Sequence, residues 1–320
     1  MHAPELASIE TLGASSNTTP STTRSATRSA TRRATLTGWS LSAPAAFLML
    51  AMLIGPMLAV VLLAFTDYQL GASTFEWIGL RNFLDLAEER SFRKSLGNTL
   101  LYAAIVVPGS VVLGLAVALL VESGTRGRAF YRAVFFVPVM STLIAMAIAW
   151  EFMLHPGFGL VNLALQSIGV QGPNWLRTEG LALYVLATIG VWQQFGFNMI
   201  LFMAGLVAIP RTLYEAAAMD GAASAWERFR LVTWPMLGPV TLFVVVISAI
   251  RAFQVFDTVA VLTKGGPNKS TEVLLYTMYA EGFEFFRSGL ASAVTVVFLL
   301  LVLVVTVVKT RVLEKRVHYA

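Results

Sequence analysis

The chain has 320 residues, 57% hydrophobic and 13% charged, with a formal net charge of +5. Soluble domains hold roughly half apolar and about a quarter charged residues. The composition, with a mean hydropathy of +0.72, therefore excludes an ordinary soluble domain and a disordered chain and points to a polytopic membrane protein. The lack of cysteine excludes a disulfide framework, a zinc–thiolate site and an iron–sulfur cluster. Three histidines, His2, His155 and His318, two of them terminal, argue against haem ligation or a multi-histidine metal site. The pI of 9.6 reflects basic loops on one side of a membrane rather than a nucleic-acid partner.

Residues 1–40 form a separate Ser/Thr/Arg-rich zone in which Thr-Arg-Ser-Ala at 23–26 recurs at 27–30. This predicts a disordered basic tail. Its arginines either bind anionic lipid headgroups or only fix topology. The basic region is too long, and the following span too full, for a cleavable secretory signal. A membrane-spanning domain is expected over 41–308, with a second tail at 309–320.

Six apolar segments are long enough to span, at about 20 residues each. They are 43–66, 99–121, 134–154, 181–209, 240–262 and 290–308. They are continuously apolar rather than alternating, which excludes barrel strands. The expected fold is an all-α membrane protein of six transmembrane helices. Loop 67–97 mixes Phe75, Trp77, Phe83 and Phe92 with charges and predicts an interfacial helix near 80–89. Loop 157–180, with Asn162, Leu165 and Trp175, is similar in kind. Both either dock an external partner or cap the bundle. Lys and Arg number 14 on the side holding the two tails and the loops after spans two and four, against 8 on the other. The termini are therefore expected in the cytoplasm.

The loop between spans four and five is the most informative stretch. Thr212 and Glu215 have capping-box spacing, so a helix should start there. Leu213 to Asp220 is rich in helix formers, and Gly221 should stop it as a left-handed cap. Ser224 and Glu227 form a second capping box, and the second helix should run until Pro235. The result is helix–glycine–helix at the cytoplasmic surface, its alanines allowing close approach and Tyr214, Met219 and Phe229 serving as apolar anchors for a partner's groove.

The spacing Glu215-Ala216-Ala217, Asp220-Gly221-Ala222, Phe229, Pro235 resembles the signature loop of permease subunits of ATP-binding-cassette importers. Trp192, Phe195, Met199-Ile200-Leu201, Ile209-Pro210, Leu213-Tyr214, Asn82-Phe83, Asn98-Thr99 and Gly265-Gly266-Pro267 resemble the carbohydrate branch, such as the maltose permease. The ending Leu313 to Tyr319 is more similar to the glycerol-3-phosphate permease subunit. The resemblance implies a bacterial inner-membrane protein that pairs with a second, similar permease and an extracytoplasmic solute-binding protein. It also implies two ATPase subunits that carry the ATP and Mg. The loop helix then couples to an ATPase through Tyr214, Glu215, Ala216, Ala217, Met219, Asp220, Gly221 and Phe229. The chain has no phosphate-cradling Gly-Lys-Ser/Thr loop, so it is expected to be no enzyme and to bind no cofactor itself.

Polar groups inside spans are costly in lipid and tend to face cavities. Span four carries Trp192, Gln193, Gln194, Phe197 and Asn198, and span five carries Ser248, Arg251, Gln254 and Asp257. By resemblance to the maltose permease these helices line a sugar site, with amides bonding hydroxyls and aromatic faces stacking on rings. The other reading is interhelical hydrogen bonding. Arg251, near mid-span and without a counterpart in the maltose permease, either receives an anionic group or pairs with Glu151, Asp257 or the partner permease. The expected cargo is a sugar or sugar-like polyol, including anionic ones such as glycerol 3-phosphate or a sulfonated or phosphorylated glycoside. An ion-coupled transporter would need Glu151 or Asp257 as its coupling carboxylate. A membrane hydrolase lacks a Gly-x-Ser-x-Gly elbow.

Overall fold

The computed structural model describes residues 39, 41–124 and 127–308. The expected tails at 1–40 (Trp39 apart) and 309–320, and Arg126, lie outside the described residues. Two compact units divide at Ala59 and Val60. The first contributes most of α1, Leu41–Leu63, which widens into a π-helical turn at Leu50–Ile54 just before Pro56. That turn adapts the hydrogen-bond ladder to a residue with no N–H.

The second unit holds the remaining helices. They are α2 (Arg81–Glu88), α3 (Arg90–Ser123), α4 (Arg128–Met140), α5 (Leu143–Met153), α6 (Leu160–Ser167), α7 (Ala182–Val207), α8 (Arg211–Met219), α9 (Ala225–Arg228), α10 (Gly238–Phe253), α11 (Asp257–Leu262), α12 (Leu274–Tyr279) and α13 (Ser288–Val308). Among the described residues the only β feature is the bridge Thr66–Trp77. Five helical segments are long and apolar enough to cross a membrane, and α4 with α5 makes a sixth. The interfacial helix expected near 80–89 is α2. Loop 157–180 contains α6.

Two spans depart from straight rods. Span three is α4 and α5, bent by 97°. Pro138 removes a helical donor, and Ser141 and Thr142 then turn extended (ψ 143° and 136°). Ser141 Oγ donates to the Val137 carbonyl that the break would leave open. Span five stops at Phe253 and restarts at Asp257. Apolarity alone could not show either break, because hydropathy does not register φ and ψ.

Helix α7 is the most buried of the spans. It packs against α3, α4 and α10. Small residues let the backbones close up. A Cβ on Gly114 of α3 would sit 2.7 Å from Asn198 Cβ of α7, and one on Gly196 would meet the Phe135 carbonyl oxygen of α4. Met199 and Phe202 are fully buried there.

Segment 263–287 is ordered, which the sequence did not announce. It is knitted to the start of α3. Asn98 donates to the carbonyls of Lys269 (3.1 Å) and Glu272 (2.9 Å). The Leu274 N–H donates to Thr99 Oγ1 at 2.9 Å. Lys94 and Asn268 both reach Glu179. These bonds satisfy backbone groups that would otherwise be orphaned in a loop. They also hold Glu179 below its usual carboxylate range, through the Asn268 hydrogen bond first and Lys94 second.

Candidate functional site

A cavity of about 520 Å³ opens where the two broken spans meet. Its floor is α7, with Gly190, Gln193 and Gln194. One wall is the α4–α5 break, with Ser141, Thr142 and Leu143. The other is the end of α10 and the α10–α11 break, with Arg251, Gln254, Val255, Phe256, Asp257 and Thr258. Tyr102 of α3 completes it. Residues of both breaks line the cavity. Helix α11 packs on α5, so the segments beyond the two breaks meet each other.

Four of the eight residues expected to line a substrate site are in this wall: Gln193, Gln194, Arg251 and Gln254. Gln194 is partly committed, since its amide donates to the Ser248 carbonyl at 3.2 Å. Arg251 lies in the last turn of α10 with its guanidinium carbon 4.1 Å from the centre of the Phe197 ring. Such a stack is attractive by cation–π contact and leaves the fork's edge donors available. Among the described residues Arg251 makes no ion pair within 4.0 Å, with Glu151, Asp257 or any other carboxylate. Of the readings left open for Arg251, pairing with Glu151 or Asp257 is not formed among the described residues; the face of Phe197 lies against the charge instead.

The other expected residues have different surroundings. Asn198 and Ser248 are fully buried. Asn198 Nδ2 donates to Ser110 Oγ at 3.2 Å and to Ser248 Oγ at 2.9 Å, while Ser248 Oγ is 3.1 Å from Asn198 Oδ1. They join α7 to α3 and α10, as the interhelical reading expects, and neither is in the cavity lining. Trp192 is turned edge-on to Trp150 at 5.4 Å, not into the cavity wall. Sequence reasoning missed Tyr102, Ser141, Thr142 and Phe256. Polar Ser141-Thr142 in the middle of an apolar span, three residues after a proline, was the available signal.

The second constellation is the helical hairpin after α7. Helix α8 starts at Arg211 behind an extended Pro210, with no side-chain cap. The Thr212–Glu215 capping box is thus not formed, because the conformational lock of Pro210 already starts the helix one residue earlier. At the other end Gly221 is left-handed (φ 93°). The Ala222 N–H donates to the Ala217 carbonyl and the Gly221 N–H to the Ala218 carbonyl, which is a complete Schellman cap. The Ser224–Glu227 capping box is present, and its hydrogen bonds lower the Glu227 pKa. Pro235 does not end the second helix. A π-helical turn at Phe229–Thr233 widens the ladder, and the helix continues through Trp234–Met236.

Within the hairpin the expected anchors divide. Tyr214 is turned inward, its hydroxyl 3.0 Å from Thr233 Oγ1, and it packs with Ala217 on the apolar core. Phe229 stacks on Trp226 at 5.5 Å and contacts Trp234. Met219 is 90% exposed, and Glu215, Ala216, Asp220 and Gly221 are exposed beside it. Tyr214 and Phe229 therefore brace the hairpin, while Met219 and the exposed residues remain open to a partner.

Residues 110–319 match the family model described as a binding-protein-dependent transport system inner membrane component. The sn-glycerol-3-phosphate transport system permease protein UgpA of Yersinia enterocolitica is 35% identical over 249 residues, 76% of this chain and 82% of that protein. The protein of the same name from Agrobacterium fabrum is 34% identical over 246 residues, 76% and 83% of the two chains. A chain of the bacterial alginate ABC transporter, solved with an alginate pentasaccharide-bound periplasmic protein, superposes with a TM-score of 0.75 at 22% identity, covering 87% of this chain and 93% of that one. This likeness establishes the fold. Nothing in the comparisons supports the ion-coupled alternative. The chain belongs to the family of inner-membrane components of binding-protein-dependent transport systems, a family of permease subunits rather than of enzymes.

Proposed function

We propose that this permease imports an anionic sugar or polyol, with Arg251 receiving the negative group. The observation that carries the reading is a guanidinium at a cavity that also holds Gln193, Gln194 and Gln254, backed by Phe197 and without a carboxylate ion-pair partner among the described residues. An arginine inside a span costs several kcal/mol unless it is hydrated or paired. A planar fork suits phosphate, sulfonate or carboxylate by paired hydrogen bonds. Gln193, Gln194 and Gln254 supply amides for hydroxyls. The relatives named for glycerol-3-phosphate transport support an anionic cargo.

In this reading a second permease completes the pore, and a solute-binding protein delivers cargo to the face bearing 263–287. The termini lie in the cytoplasm. Two ATPase subunits, holding ATP and Mg, dock on the α8–α9 hairpin. Met219, Glu215, Ala216, Asp220 and Gly221 meet the ATPase cleft, and Tyr214 and Phe229 stiffen the hairpin from within. This chain supplies binding and coupling, and the nucleotide chemistry is the partner's.

The test is ATPase activity of the reconstituted complex with its binding protein, given glycerol 3-phosphate or a neutral disaccharide. Stimulation by the anion that is lost in Arg251→Gln is expected. Stimulation by the disaccharide, indifferent to that substitution, would make Arg251 structural.

A further inference from the structure

A run of aromatic rings leads from the cavity to the surface. Phe256 belongs to the cavity wall. Its ring centre is 5.3 Å from that of Tyr279 and 6.3 Å from that of Tyr276. Tyr276 and Tyr279 lie 6.3 Å apart, and Tyr279 stacks on Phe283 at 5.7 Å with an interplanar angle of 30°. Exposure rises along the run: Phe256 and Tyr276 are half-buried, Tyr279 is 37% exposed and Phe283 65%.

Aromatic residues also gather at lipid headgroups, where Trp and Tyr anchor a helix. Two observations separate this run from such a belt. Its inner ring lines the same cavity as Arg251, Gln254 and Asp257. Neither tyrosine hydroxyl is hydrogen-bonded to another described residue, although both could donate and accept. Burial, with Glu284 and Glu272 nearby, raises the Tyr276 pKa, so its hydroxyl stays protonated as a donor.

The chemistry of the run is specific. The face of an aromatic ring carries negative quadrupole density, which attracts the C–H bonds on the apolar face of a sugar ring. A free phenol at the ring's edge meets the sugar's hydroxyls. A three-carbon polyol phosphate has no ring face to offer. We propose that Phe256, Tyr276, Tyr279 and Phe283 form a stacking track into the cavity, and that the cargo is accordingly an anionic glycoside with at least one pyranose ring rather than a short polyol phosphate. This rests on the permease reading above and narrows its substrate class.

The experiment is radiolabelled uptake by the complete reconstituted importer with its binding protein. The compounds are glycerol 3-phosphate, glucuronate and a methyl glucuronide. The proteins are wild type, the double variant Tyr279→Ala with Phe283→Ala, and Tyr279→Phe. Uptake of a ring-bearing anion is expected, with KM raised about tenfold in the double variant, which corresponds to about 1.4 kcal/mol. Tyr279→Phe keeps the ring face and loses only the phenol, so its KM should rise by less than that of the double variant. Wild-type uptake of glycerol 3-phosphate with no uptake of either glucuronate compound overturns the track. So does a double variant whose maximal rate falls at unchanged KM, as a merely structural belt would give. Wild-type uptake of none of the three compounds, with an ATPase that no anion stimulates, defeats the anionic-cargo reading, and the track with it.

Discussion

Asn198→Ala tests whether this buried amide holds helices or cargo. The side chain bonds Ser110 of α3 and Ser248 of α10 at 2.9 to 3.2 Å. Hydrogen bonds between helices in a membrane average about 0.6 kcal/mol and reach about 1.7. Two partners therefore contribute about 1 to 3 kcal/mol. Ser110 also bonds the Val107 carbonyl at 3.3 Å, so it keeps a partner after the change and its share is at the low end. The fully buried side chain leaves a small cavity, worth about 1 kcal/mol more. The expected loss is about 2 to 3 kcal/mol. Unfolding of the purified complex in mixed micelles by increasing SDS would measure it. A double-mutant cycle with Ser248→Ala should return a coupling of about 0.6 to 1.7 kcal/mol. Uptake KM, normalised to folded protein, should not move. Unchanged stability together with a KM raised tenfold would refute the structural role and return Asn198 to the substrate site.

Three other outcomes follow from the geometry. Gly114→Ala should cost about 1 to 3 kcal/mol in the same unfolding assay, since its Cβ would stand 2.7 Å from Asn198 Cβ, where carbon atoms normally keep about 3.5 to 4.0 Å. Glu215→Lys, on the exposed side of α8, should leave the six spans assembled but uncouple ATP hydrolysis from uptake; normal uptake would remove Glu215 from the coupling surface. The tie between Glu179 and loop 263–272 should depend on pH. The folded Glu179 pKa is lowered from 4.5, so the contribution is present above 4.5 and is lost as pH falls through the lower folded value. Hydrogen exchange of the 264–272 amides should speed up on acidification in wild type and show no such dependence in Glu179→Gln.

Span count, the positions of α2 and α8, the Gly221 cap and the Ser224–Glu227 box were legible because each depends on local sequence. Apolar length sets a span, and a left-handed glycine or a serine three residues before a glutamate sets a helix end. What was hidden depends on the third dimension. The polar residues of α7 read alike in sequence. Yet Gln193 and Gln194 sit on the cavity face, and Asn198, about one turn further on, points into the α3–α10 seam. Only the neighbours decide which amide faces the cavity. Pro138 announced irregularity but not a 97° turn, and Pro235 announced a stop that a π-helical turn overrode. The ordering of 263–287 came from Lys94, Asn98, Thr99 and Glu179, distant in sequence and unremarkable singly.

The polar character of α7 has a consequence for how the chain is made. Leaving span three aside, span four is the least apolar of the five other candidate spans and the most enclosed by its neighbours. A segment carrying Gln193, Gln194 and Asn198 gains less than the others by entering lipid as a lone helix. Its compensation comes from α3, synthesised about 60 residues earlier and notched at Gly114 to receive it. It comes also from α10, which emerges only afterwards with Ser248. During synthesis α7 is therefore a guest of a helix already delivered and a debtor to one still in the ribosome. The order of spans along the message thus supplies α7 with one of its two polar partners before it enters the membrane and the other only after.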